Sequence, residues 1–272
     1  APVIVNAASY GAQAGDQLVV LQLPYASVVN GQPPIPVVIT AQMSDLADTD
    51  GFPDLTIKAR GSDIHFWSTR PRALSQIRQA ATAASIMLSC SAALGRDMAA
   101  LGLPEERIVP HYTGLDRSRF RITPRAQARA ALPALLGLTL SEGAPLFVAP
   151  GALIPLKGQA LAVAALTYLA GDAHLALAGS GPEEAALRAQ IEKLGLEGRV
   201  HVLGQISHDA LPVLLSAANA VVLPSEREGL ANAWIEALAC GAPLVIPDIG
   251  GAREVVAANQ LVMLTQRIAK NA

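Results

Sequence analysis

The stretch Asn219-Ala-Val-Val-Leu-Pro-Ser-Glu-Arg-Glu-Gly-Leu-Ala-Asn-Ala-Trp-Ile-Glu-Ala-Leu-Ala-Cys-Gly-Ala-Pro-Leu-Val-Ile246 reads as one complete β-α-β unit. Residues 219–223 form a short apolar run ended by Pro224, and residues 243–246 form another. Runs of this kind suit strands buried on both faces, which lack the alternation of a half-exposed strand. Between them, residues 230–240 carry a helical pattern stopped by Gly241 and Pro243. Two strands joined through a helix are expected to pair in parallel.

The same rhythm extends upstream. Strands are expected at 145–149, 174–178 and 199–203, with helices at 157–170, 182–194 and 208–217. Pro182, followed by Glu183 and Glu184, suits a helix start. Gly179, Ser180 and Gly181 are expected to make a strand-to-helix turn. Residues 143–272 therefore read as one doubly wound domain. The first half is less regular. Strands are expected at 2–5, 17–22, 36–40, 55–59 and 85–89, and helices at 71–84 and 91–101. Residues 1–57 contain no Lys or Arg, whereas 58–78 contain Lys58, Arg60, Arg70, Arg72 and Arg78. That break in charge suggests a discontinuous or remodelled segment. Residues 119–142, Ala-rich with several arginines and Pro133, read as an interdomain connection, leaving 1–118 as a first Rossmann-like domain.

Composition narrows the function classes. A chain of 272 residues with 51% hydrophobic and 15% charged side chains has enough apolar material for two cores. A net charge of −2 gives no electrostatic reason to expect a nucleic-acid partner. Mean hydropathy is +0.37, yet no apolar run approaches the roughly 18 residues of a membrane span. Residues 1–5 lack the pattern of a secretory leader, and Cys90 and Cys240 read as reduced core residues, so the expected location is cytoplasmic, with peripheral contact at the inner membrane face left open. The basic stretch from Lys58 to Arg78 suits such contact or a plain solvated face. Metal-ligand spacing is absent, and Ser89 and Ser91 lack triad partners. His174 and His201, in strands, read as structural, and Trp234 as packing.

Glu228 and Glu236 flank the start of the helix in the opening stretch. Eight positions at 1.5 Å each span about 12 Å, the scale of one small ligand gripped at both ends. The unpaired N–H groups of the first helical turn would face an anion between the two carboxylates. A sugar, a diphosphate and a ribose fit that layout, and so do two solvated helix charges.

An ordered set of segments decides between these readings. It comprises His111-Tyr-Thr-Gly-Leu-Asp116 with Phe120, Pro155-Leu-Lys157-Gly158, Leu177-Ala-Gly-Ser-Gly-Pro-Glu183, Leu194-Gly-Leu-Glu-Gly-Arg-Val-His-Val-Leu-Gly204, the two-glutamate stretch and Asp248-Ile-Gly-Gly-Ala-Arg-Glu254. Together with Arg60-Gly-Ser-Asp63, this set resembles the family 4 (group 1) glycosyltransferases. The resemblance implies an α/β fold of two Rossmann-like doubly wound domains in the GT-B arrangement, with the ligand cleft between them. It also implies a retaining, metal-independent transfer from a nucleoside-diphosphate sugar to a hydroxyl acceptor, be it glycan, lipid or small molecule, with no cofactor. Glu228 and Lys157 are the implied catalytic residues, the glutamate on the donor sugar and the lysine on the diphosphate. Glu236 would hold the ribose. Gly229, Leu230, Ala231, Asn232, Gly151 and Ala152 would line the sugar and diphosphate, and the backbone of Gln205 and Ile206 the base. Arg60 and Asp63 would lie on the acceptor side.

Three departures from the family pattern stand out. Ala152 occupies the place of an arginine that clamps the phosphates with the lysine, a loss worth about 10- to 150-fold if nothing substitutes. Arg60 replaces a histidine, cannot act as a base, and could stand in for the missing cation. The first domain is short and lacks the expected glycine-rich loop, for which Tyr10-Gly-Ala-Gln-Ala-Gly15 is a poor substitute. A nucleotide-sugar-binding module without the clamp is therefore the alternative expectation.

Overall fold

The computed structural model describes residues 3–4, 17–22, 38–43, 55–169, 171–255 and 262–265. The chain divides into two compact units, Ala1–Thr113 and Gly114–Ala272.

The first unit is built on a mixed six-stranded sheet in the order β1-β2-β3-β4-β5-β6, with β1 Val3–Ile4, β2 Gln17–Gln22, β3 Val38–Met43, β4 Leu55–Ala59, β5 Ile86–Ser89 and β6 Ile108–Pro110. From β1 to β4 neighbouring strands pair antiparallel, and β4, β5 and β6 are parallel. The doubly wound character of this unit thus resides in β4–β6. Of the strand expected at 36–40, Val38–Thr40 belong to β3, which runs on to Met43, and residues 36 and 37 lie outside the described residues. Tyr10-Gly15 lies outside the described residues. After β4 come α1 (Ser62–His65) and α2 (Pro71–Ala83), which begins on proline and buries Ala73, Ile77 and Ala81 at helical spacing. Arg107 donates to the carbonyls of Thr82 and Ala84, a cation at the C-terminal end of α2. Ser91 caps α3 (Ala92–Ala100) by accepting from Leu94 N–H at 3.0 Å.

The second unit opens with α4 (Arg125–Leu136). The 119–142 segment expected as a connection lies within this unit, where α4 packs on α7 (Ala210–Ala217, below). Arg129 of α4 donates to the Ala217 carbonyl and, at 2.7 Å, to the Asn219 side chain, whose same oxygen accepts Leu146 N–H. The alternation that follows is β7 (Leu146–Pro150), α5 (Gln159–Leu166), β8 (His174–Ala178), α6 (Glu184–Lys193), β9 (Val200–Gly204), α7, β10 (Ala220–Val222), α8 (Asn232–Ala239), β11 (Leu244–Pro247), α9 (Ala252–Val255) and β12 (Val262–Thr265). All neighbours are parallel, in the order β12-β11-β10-β7-β8-β9. This is the doubly wound dinucleotide-fold order, reversing between β7 and β10.

Strands β7, β8 and β11 are almost wholly buried, as their unbroken apolar sequences require. Leu153, Val163, Leu166, Leu177, Leu187 and Ile191 join α5 and α6 to one face of the sheet. Cys90 and Cys240 are buried free thiols. At the amino ends of β8 and β9, His174 Nδ1 and His201 Nε2 lie 3.0 Å apart with nearly parallel rings. Burial lowers the pKa of both, and the charge of each neighbouring cation adds to this: Arg199 for His174 and His174 for His201, with Asp172 opposing at His174. The fold therefore favours the neutral imidazoles, and the unfolded chain takes up more protons once pH drops below about 6.5. Stability is expected to be full above that value and to fall progressively as pH falls below it. Urea denaturation at pH 7.5 and 5.5 measures the loss, and His201→Gln is expected to flatten it.

Candidate functional site

In a doubly wound sheet, the crevice at the carboxyl ends of the strands opens where the strand order reverses. Here that point lies between β7 and β10, so the loops 151–158 and 223–231 form its walls. The chain narrows there for identifiable reasons. Pro155–Lys157 form a single 3-10 turn ended by Gly158 in the left-handed region (φ 70°). A Cβ at Gly158 would stand 2.4 Å from the Pro224 carbonyl oxygen, so only glycine allows the two loops to meet. Glu226 N–H donates to the Leu156 carbonyl at 2.8 Å and closes the seam. The helix expected from 157 therefore begins at Gln159, and Lys157 sits on the turn before it.

The turn places Lys157 Nζ 2.6 Å from Glu228 Oε1, with side-chain exposures of 24% and 12%. Two residues 71 positions apart are thus joined as a half-buried ion pair. Among the described residues, Glu228 Oε2 has no protein partner and remains open as an acceptor. Behind Glu228, Gly251 N–H donates to the Gly229 carbonyl at 2.8 Å. Gly250, at φ +49°, is close enough that a Cβ would stand 1.9 Å from the Glu228 carbonyl oxygen. This buttress was not apparent from the sequence, although Gly250-Gly251 itself is visible there. Gly250→Ala is expected to cost about 1–3 kcal/mol through strain and to push the Glu228 backbone aside. Denaturant titration measures the cost.

Helices α5 and α8 both start at this point, and neither has a side-chain cap. Leu161 and Trp234 N–H already donate to the Gly158 and Ala231 carbonyls, so the N–H groups of Gln159 and Ala160 on α5 and of Asn232 and Ala233 on α8, with the positive dipole ends, remain available to an anion. Gly229, Leu230 and Ala231 are buried and shape the approach to α8, while Asn232 at its first position is exposed. Glu236, one turn further on, is partly buried, and its carboxylate has no hydrogen-bond partner among the described residues. Burial raises its carboxyl pKa, and the positive charge of His208 partly opposes the shift. The β9–α7 loop carries exposed Gln205 and half-buried Ile206. Trp234 is fully buried, as expected of a packing residue. Gly151 and Ala152 follow β7, and the Ala152 methyl is exposed.

Lys157, Glu228, Gly229, Leu230, Ala231, Asn232, Glu236, Gly151, Ala152, Gln205 and Ile206 all belong to the second unit, whereas Arg60 and Asp63 belong to the first. There Asp63 accepts from the backbone N–H groups of Arg60, Gly61 and Ile64, which commits its carboxylate to the turn after β4. Among the described residues, no group of three or more His, Cys, Asp or Glu could hold a metal ion, and no helix is long and apolar enough to cross a membrane.

Known proteins resemble this chain in sequence and in fold. Residues 137–271 match the family model for glycosyl transferases group 1. A GDP-mannose-dependent alpha-(1-6)-phosphatidylinositol monomannoside mannosyltransferase of Mycolicibacterium smegmatis is 28% identical over 79% of this chain and 58% of its own length. A D-inositol 3-phosphate glycosyltransferase of Mycobacterium tuberculosis is 35% identical over 55% of this chain and 31% of its own. The chain thus spans less than two thirds of these relatives. Among solved structures, Anabaena HepE in complex with UDP-glucose superimposes with a TM-score of 0.68 at 27% identity, covering 78% of this chain and 58% of that one. The α/β fold is that of the GT-B glycosyltransferases. With the donor-side motifs in order on a doubly wound sheet, residues 137–271, nearly the whole of the second unit, belong to the group 1 glycosyl transferases.

Proposed function

We propose that this chain takes part in retaining glycosyl transfer from a nucleoside-diphosphate sugar to a hydroxyl acceptor, without a metal. The observation that carries the reading is the Lys157–Glu228 pair at the sheet's reversal point, with uncapped α8 beside it and unpartnered Glu236 one turn along. Glu236 would accept hydrogen bonds from the ribose diol, and the first-turn N–H groups of α8 would take the diphosphate. Glu228 would contact donor-sugar hydroxyls, and Gln205 and Ile206 would present backbone to the base. Lys157 then lies where negative charge grows on the leaving phosphate. The bond between the anomeric carbon and that phosphate oxygen breaks, its electrons going to the oxygen. The acceptor oxygen bonds to the same face of the sugar, and its proton passes to the departing phosphate. No enzymic nucleophile is needed, and Lys157 acts as a fixed cation that strengthens its hold as the reaction proceeds.

This reading places the reaction in the cytoplasm. Peripheral membrane contact is part of it, through the 58–78 stretch, where Arg70 stacks 3.9 Å over a Phe66 ring that is 43% exposed.

Ala152 supports a second reading. Its methyl replaces a cation, and Lys157 is already paired, so the site could bind a nucleotide sugar without turning it over. A panel of nucleotide sugars with released nucleotide as the readout separates the two. Release that persists in excess chelator supports metal-free transfer. Binding without release under every acceptor condition supports the module, and no binding at all overturns both.

A further inference from the structure

Gln159, the first residue of α5, is only 2% exposed. Burying an amide without a partner is costly, so the bond that holds it has structural consequences. Gln159 Nε2 donates to the Ala152 carbonyl at 2.9 Å, reaching back across the whole β7–α5 loop. The same oxygen accepts Ile154 N–H at 3.0 Å. Leu153 N–H donates to the Ser180 carbonyl at 3.0 Å, so the Ala152–Leu153 peptide is held from both sides. One peptide earlier, Ala152 N–H has no acceptor among the described residues. That peptide lies against the bare Cα of Gly179, where a Cβ would stand 1.9 Å from the Gly151 carbonyl oxygen.

Lys157 is the one side-chain cation among residues 151–158, and it is already paired with Glu228. Left unpinned, the Gly151-Ala152 segment would be free to turn a carbonyl toward an arriving anion. We propose that Gln159 is a positioning residue that fixes the 151–153 backbone so that the Ala152 N–H donates to the donor diphosphate, in place of a side-chain cation at position 152. The inference rests on the nucleotide-sugar reading above. A donor held in place before the ligand arrives needs no reorganisation when charge appears beside it.

Gln159→Met keeps the length and apolar stem of the side chain while removing the donor. The probes are the nucleoside diphosphate that most stabilises the unchanged protein and the free nucleoside of the same base, titrated by calorimetry. Q159M is expected to bind the diphosphate about fivefold more weakly and the nucleoside unchanged. A purely structural role would weaken both alike. Adding Ala152→Arg to Q159M is expected to restore diphosphate affinity by returning a cation to the loop. If Q159M does not give folded protein, Gln159→Asn, one methylene too short to reach, is read with the same two probes. Equal weakening of both probes, no weakening, or failure of the added arginine to restore affinity overturns the inference alone. If the unchanged protein binds no nucleoside diphosphate, the nucleotide-sugar reading falls and takes the inference with it.

Discussion

Lys157→Met is expected to lower the rate of sugar transfer by about 10²–10³-fold while changing donor KM only a few-fold, because a fixed cation aimed at a leaving group acts mainly in the transition state. Methionine preserves the partly buried stem, so lost packing does not explain the effect. The substitution also leaves Glu228, 12% exposed, without its counter-ion, an arrangement more costly than the intact pair is stabilising. K157M should therefore be less stable than the unchanged chain. Adding Glu228→Gln removes the stranded charge and should recover stability without recovering rate. Steady-state nucleotide release and urea denaturation on the two variants check this dissociation. Parallel recovery of rate and stability would reduce Lys157 to a structural residue.

Glu236→Ala is expected to abolish the thermal stabilisation given by nucleoside diphosphates. A ligand at about 100 times its Kd stabilises a fold by about 2.7 kcal/mol. For a chain of this size, that corresponds to a rise in Tm of about 5–10 °C. Without the carboxylate, the ribose diol loses its bidentate acceptor and the shift should disappear. Burial raises the Glu236 pKa, so the ionised form is held at a cost in the empty protein. Glu236→Gln should therefore not lower, and is expected to raise, the melting temperature without ligand, the usual relation between a binding group and the fold that carries it. The same direction of shift predicts that nucleotide affinity declines on acidification sooner than an ordinary glutamate would allow. An unchanged thermal shift in E236A would exclude the ribose assignment.

The second unit was legible in the sequence because its strands are buried on both faces and announce themselves as apolar runs. The expected 174–178 strand coincides with β8, and most other strand limits differ by one residue at each end. The 219–223 strand likewise shortens by one residue at each end, to Ala220–Val222, as the chain turns into Leu223-Pro224. The larger departure is the 157–170 helix, which runs Gln159–Leu166 and starts late because Gly158 takes a left-handed conformation. In the antiparallel part of the first unit, the period of the pattern gave the strands but not their direction. In the Ala-rich 119–142 segment, expected as a connection, the tie from Arg129 to Asn219 spans 90 positions and leaves no local trace in the sequence. The site was legible as a set of residue types whose roles came from the family resemblance. Its geometry was not, since the Lys157–Glu228 pair and the Gly250 buttress depend on which strands lie side by side.

That adjacency of β7 and β10 bears on how the protein acquires its site. The two walls come from stretches 71 residues apart, separated by two intervening strands. Closing so long a loop is slow and entropically unfavourable until the central strands dock. During refolding from urea, recovery of nucleotide binding should consequently lag behind recovery of the helical circular-dichroism signal, and nucleotide in the refolding buffer should draw the late docked species forward. Occupancy of the crevice then serves as a gauge of complete assembly of the second unit, which no single helix or strand pair can imitate.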